Sequence, residues 1–188
     1  MARLILLALV LTLAGCVNTG GVQIGTGPDA FRIVAPAGYC LAEGAVAHQR
    51  GSDFAAFIPC TPGGTTTGVL SASVGAAGSA QPVDPQAMAA FFTAPAGRRA
   101  LSRARDARSV TVHEVLSVDA AILVRMTDRA RPPAAIGPGE SWRAVMAVDG
   151  RLVTLSASPA RGTTLTRDAG RRLIGGFVAV MRLANAAR

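Results

Sequence analysis

The sequence predicts an α+β fold: an antiparallel sheet with helices packed on one side of it. Three observations carry this expectation. "WRAVMAV" and "RLVTLSA" are alternating apolar runs on either side of Asp149-Gly150, the dipeptide that suits a two-residue hairpin turn. Leu165, Ala169, Leu173, Phe177, Met181 and Ala184 recur at steps of three or four residues, the period of an amphipathic helix. Asp84-Pro85 opens another helix, with a carboxylate at the cap and proline at the first helical position. Hairpins with helices gathered on one face give a two-layer sandwich.

Taken in order, "FRIVAP" places Phe31, Ile33 and Ala35 on one side of a first strand, which Pro36 and Gly38 stop. "DFAAFIPC", residues 53–60, reads as a second strand, and the threonines and valines of "TTTGVLSASV" as a third. In the helix that follows, Met88, Phe91 and Phe92 come together as a packing face before Pro95 and Gly97 end it. "RRALSRARDAR", residues 98–108, is a basic turn or short helix. "SVTVHEVL" (109–116) and "AAILVRMT" (120–127) form a hairpin across "SVD". A regular strand would put His113 and Glu114 on opposite faces, so the two are not expected to act together. The proline- and glycine-rich segment 128–140 is a long connection. Trp142, Ala144, Met146 and Val148 then share the strand face that should meet the last helix. In that helix Ile174, Val178 and Val180 widen the apolar stripe, the arginines 167, 171, 172 and 182 stay peripheral, and Gly175-Gly176 lets the backbone approach the sheet.

The N-terminus has a different character. Arg3 precedes "LILLALVLTLA", an apolar run of signal-peptide length and too short to cross a bilayer comfortably as a folded helix. It ends in Leu13-Ala14-Gly15-Cys16, which resembles, position for position, the cleavage box of a bacterial lipoprotein. The resemblance implies removal of residues 1–15, diacylglycerol on the Cys16 sulfur, and usually an acyl chain on its amine. Two or more chains suffice for stable anchoring. Residues 17–30, rich in glycine, read as a flexible tether, so the expected organisation is signal 1–15, lipidated tether 16–30 and one domain over 31–188. The resemblance also ties sorting to the residue after the cysteine, and valine at position 17 implies delivery to the periplasmic face of an outer membrane.

With Cys16 assigned to lipid, Cys40 and Cys60 remain as an even pair in a chain bound for an oxidising compartment, where a disulfide is the default. It would pin the end of the first strand to the end of the second. A metal site from Cys40, His48 and Cys60 lacks a fourth ligand and regular spacing. All of the basic side chains are arginine, and the formal charge of the precursor is +8. Such a balance favours anionic membrane surfaces or acidic envelope polymers; export disfavours nucleic acid as a partner.

The order of elements, with the "P.GY" turn at Pro36, Gly38 and Tyr39, resembles the PsbP and Mog1-like domains found among envelope lipoproteins. That resemblance implies a sandwich with a binding or assembly role and no catalytic signature to carry over. The primary expectation is therefore a non-catalytic envelope lipoprotein, membrane-bound through its lipid, that serves a protein partner and needs no cofactor or metal. The first alternative is a binder of an anionic glycan, lipid or small ligand through Arg98, Arg99, Arg103, Arg105 and Arg108, whose guanidinium forks match such groups. The second is an envelope hydrolase, for which Ser109, His113 and Asp119 form a set by residue type alone.

Overall fold

The computed structural model describes residues 21–49, 51–61, 67–81 and 84–186. The expected signal segment, 1–15, and the expected lipid site Cys16 lie outside them. The strands are β1 (Gly21–Ile24), β2 (Phe31–Val34), β3 (Tyr39–Gln49), β4 (Ser52–Pro59), β5 (Val69–Gly75), β6 (Val110–Val118), β7 (Ala121–Asp128), β8 (Glu140–Val148) and β9 (Arg151–Ser158). The helices are α1 (Pro85–Thr93), α2 (Pro95–Leu101) and α3 (Arg167–Ala184). Seven strands make one antiparallel sheet in the order β3-β4-β5-β9-β8-β7-β6, and β1 pairs with β2 in a separate ribbon.

The α+β class and the antiparallel sheet stand as expected; the placement of the helices does not. Along β7, Ala121 and Leu123 join the core beneath α3, whereas Ile122, Val124 and Met126 pack with Phe92 of α1 and Leu101 of α2. Successive strand residues point to opposite faces, so the helices are divided between the two faces. The cause is in the β7 sequence: "AILV" is apolar on both sides, and each side requires a cover. On the first face, α3 meets Trp142, Ala144 and Met146, and the β1–β2 ribbon contributes Phe31 and Ile33.

The ribbon corrects the expected tether. Gly21–Ile24, expected within the tether, is a strand, because Val22 and Ile24 pack against the core and pair in register with Ile33 and Phe31. Asn185 holds the ribbon to the end of α3, accepting from the Arg32 N–H at 2.7 Å and donating to the Arg32 carbonyl at 2.8 Å. Strand β3 was also not expected; its small residues and a bulge between Leu41 and Val46 conceal the alternation.

Strand register defines two ends of the sheet. Tyr39, Pro59, Val69, Ser158, Glu140, Asp128 and Val110 lie at one, called here the near end. Gly21, paired with Val34 just before the turn into β3, arrives at it. The far end carries the turns at Gly51, 119–120 and 149–150. At the last of these, Asp149 and Gly150 both have positive φ, 46° and 67°, as the favoured hairpin turn requires.

Candidate functional site

The five arginines proposed as an anion patch divide into engaged and free groups. Arg98 and Arg99 lie on α2, and the chain then turns through a tight loop into β6. Arg103 is drawn inward to Asp128, 3.7 Å away, and Arg108 pairs with Asp106 at 3.2 Å within the loop. Arg99 and Arg105 are exposed. The loop is organised by Asp128, whose side chain is fully buried and accepts from the N–H groups of Arg103 (2.8 Å) and Ala130 (3.0 Å) and from the Ser109 hydroxyl (2.8 Å). Burial alone would raise its pKa; those donors and the Arg103 charge outweigh it and hold the carboxyl below its ordinary value.

A depressed carboxylate contributes stability that is present above its unfolded pKa and lost as pH falls. Acidification below about pH 4 should therefore weaken the near end. Asp128→Asn removes the charge while keeping one acceptor, and is expected to cost about 1–2 kcal/mol at neutral pH. Urea midpoints at pH 7 and pH 3 check this: the gap between wild type and variant should narrow in acid, and a constant gap would refute the assignment.

A second polar cluster was invisible in the sequence. A β-bulge between Val112 and Glu114 makes His113 an extra residue, so that His113 and Glu114 both reach groups on one face of β7. Arg125 donates to Glu114 at 3.2 Å and to both Glu140 oxygens at 2.9 Å, and Arg167 of α3 donates to Glu114. Hydrogen bonding from Arg167, with further support from Arg125, holds Glu114 below the usual carboxylate range. Both acids are paired with guanidinium donors, so the cluster clamps the start of α3 to the sheet.

The set named for hydrolysis is not assembled. Ser109 bonds Asp128 and Ser102, His113 bonds Thr127 at 2.9 Å, and Asp119 sits in the far-end turn with the length of β6 between it and Ser109. Nor do the cysteines meet His48: they are joined to each other, Cα to Cα 4.9 Å, while His48 pairs with Asp53 at 2.6 Å. The disulfide ties the start of β3 to the chain just past β4, rather than involving the first expected strand; the Cys60 N–H also donates to Gly38.

An apolar surface left uncovered by the described residues lies on the second face. The α1–α2 pair covers β6 and β7 and stops there, so that among the described residues no helix lies over β4, β5 and β9 on this face. Across them, register sets Phe54 beside Ser73 and Thr154, and Ala56 beside Ser71 and Ser156. Phe54, Ile58 and Leu152 are exposed around this half-buried hydroxyl stripe. At the far end the stripe runs into an apolar groove of about 200 Å³ between α1 and the sheet, lined by Pro85, Ile122, Val145 and Leu152 among others. Arg143 stands opposite Ser156 at the covered border. Burial pulls its guanidinium below the ordinary value; the neighbouring charge of Arg103 adds to this and Asp128 opposes it. Phe91, expected in the packing face of α1, is 40% exposed with its ring edge against buried Phe92. The signals that could have found this surface are the serines and threonines alternating with apolar residues in β5 and β9.

No protein-family model matches the chain and no curated protein matches it either, so the functional reading rests on the residues themselves.

Proposed function

We propose that the protein is a non-catalytic lipoprotein of the bacterial cell envelope, anchored through Cys16 at the periplasmic face of the outer membrane. Its role is that of a binding or assembly module for a protein partner. On this reading the domain is a member of the PsbP/Mog1-like group, a likeness supported by the antiparallel sheet, the turn at Pro36–Tyr39 and the closing helix. The observation that carries the binding role is the open half of the second face. Exposed Phe54, Ile58 and Leu152 ring a row of hydroxyls there, a mixture of apolar anchors and hydrogen-bonding groups suited to a protein surface.

A photoreactive amino acid at position 54 or 58, introduced in the full chain in cells, tests the reading. Both positions should yield an adduct with the same protein, and position 183 should not, since Leu183 is 79% exposed on the other side of the sheet. Equal labelling from all three sites, or none from 54 and 58, would overturn it.

A further inference from the structure

The near end of the sheet gathers the arginine-bearing connections. Arg99 and Arg105 belong to the α2–β6 segment, Arg129 and Arg131 to the loop after β7, and Arg171 and Arg172 to the first half of α3. These segments are remote in sequence and meet only because strand register brings their ends together. All six side chains are exposed, and among the described residues none forms an ion pair. Most acids of the same end are already taken: Asp106 by Arg108, Asp128 by Arg103, Glu114 by Arg125 and Arg167, and Glu140 by Arg125; Asp168, exposed in the first turn of α3, lies 3.9 Å from Arg167. The far end mixes both signs, with Arg32 exposed and Arg182 half-buried. Asp29, Asp84, Asp119 and Asp149 are exposed there, while Arg151 is buried and donates to the carbonyls of Gly75 and Asp29.

Gly21, the first described residue, lies at the same end. Gly21 pairs with Val34, and the chain two residues on, at Pro36 and Ala37, lies beside Arg172 in a shared groove with Tyr39 and Leu165. Only Val17, Asn18, Thr19 and Gly20 separate Gly21 from Cys16. At full extension that link spans roughly 17 Å, whereas a strand as long as β8 carries the far end about 30 Å further off.

We propose that the near end of the domain faces the membrane that holds the Cys16 lipid, with Arg99, Arg105, Arg129, Arg131, Arg171 and Arg172 docked on its anionic headgroups. The proposal rests on the anchoring reading above. The short link confines the domain to the surface, and the polarity of charge selects which end meets it: arginines are drawn to an anionic leaflet and the far-end aspartates are repelled. The open second face is then left at the side, parallel to the membrane normal and accessible to a partner.

The test uses the mature, lipidated full chain reconstituted into vesicles of phosphatidylcholine alone or of phosphatidylcholine with phosphatidylglycerol. The arginines are modified with phenylglyoxal and read by peptide mass spectrometry. On the anionic vesicles the six near-end arginines should react several-fold more slowly than on the zwitterionic ones, with Arg182 near the far-end turn unchanged. Salt at about 1 M, which shortens the screening length to about 3 Å, should abolish the difference. A lipidated chain whose two ends react alike on both vesicles would overturn this proposal alone. A mature chain whose intact mass lacks the diacylglyceryl group on Cys16 would overturn the anchoring reading, and this proposal with it.

Discussion

Replacing Gly170 by alanine is expected to lower stability by about 3 kcal/mol, the upper part of the range for overpacking a filled core. Gly170 is buried in the first turn of α3, where a methyl group would lie 2.7 Å from the Trp142 indole nitrogen and 3.2 Å from Leu165. Trp142 is itself only 1% exposed, pinned in the middle of the core, and cannot swing away. The helix would have to lift, and the Arg167–Glu114 contact at its start would stretch with it. Gly175→Ala and Gly176→Ala supply the contrast. An added methyl at either position meets nothing within 4 Å, so each should gain about 1 kcal/mol from helix propensity alone. Urea denaturation of the three variants decides the matter. If all three shift the midpoint in the same direction, the close contact at Gly170 is not real.

Removal of the disulfide, as Cys40→Ala/Cys60→Ala or by reduction, is expected to cost about 3 kcal/mol, the loop-closure entropy of a crosslink spanning 20 residues. The loss should be local as well as global. The bond clamps β3, an edge strand, to β4 at the near end, where Tyr39 pairs with Pro59. Tyr39 is buried beside it, donates its hydroxyl to the Thr67 carbonyl at 2.7 Å, and has its pKa pushed up to about 12 by that burial. Without the crosslink, amide exchange in β3 should accelerate more than in β8 or β9. Equal denaturation midpoints with and without reductant would show that the bond contributes no stability.

How much of this was legible depends on how locally each feature is encoded. The Asp149-Gly150 hairpin and the capped start of α1 follow from adjacent residues: the Asp84 carboxylate accepts from the Gln86 N–H at 2.9 Å, as its position before Pro85 required. The pairing of Cys40 with Cys60 follows from their number and the oxidising destination that the sequence leads one to expect. Glycine proved ambiguous. The pair Gly175-Gly176 suggests a close approach there, whereas the contact falls on Gly170, because which face of a helix touches the sheet depends on packing partners far away in sequence. The glycines around Val22 and Ile24 likewise suggested a tether, although two apolar residues opposite Ile33 and Phe31 were enough to form a ribbon. The anion patch was seen only in part. Arg98–Arg108 is one contiguous stretch and therefore conspicuous, but three of its members turn to Asp128, Asp106 or the interior. The arginines that join Arg99 and Arg105 come from two later segments, and no local pattern announces that they share an end.

The sheet consists of two antiparallel meanders, β3-β4-β5 and β6-β7-β8-β9, that touch only along β5 and β9. Val69 must find Ser158 and Val74 must find Val153 across the whole intervening chain. Helix α3, which roofs both halves, comes later still, and its Phe177 meets Phe57 of the first meander at 6.2 Å. Long-range pairing of this kind slows folding, since the entropy of closing a large loop is lost before its contacts are gained. A chain emerging N-terminus first thus holds the first meander, already able to form its crosslink, with an uncovered apolar face until the last forty or so residues arrive. During that interval the cover that α3 supplies has not yet been made.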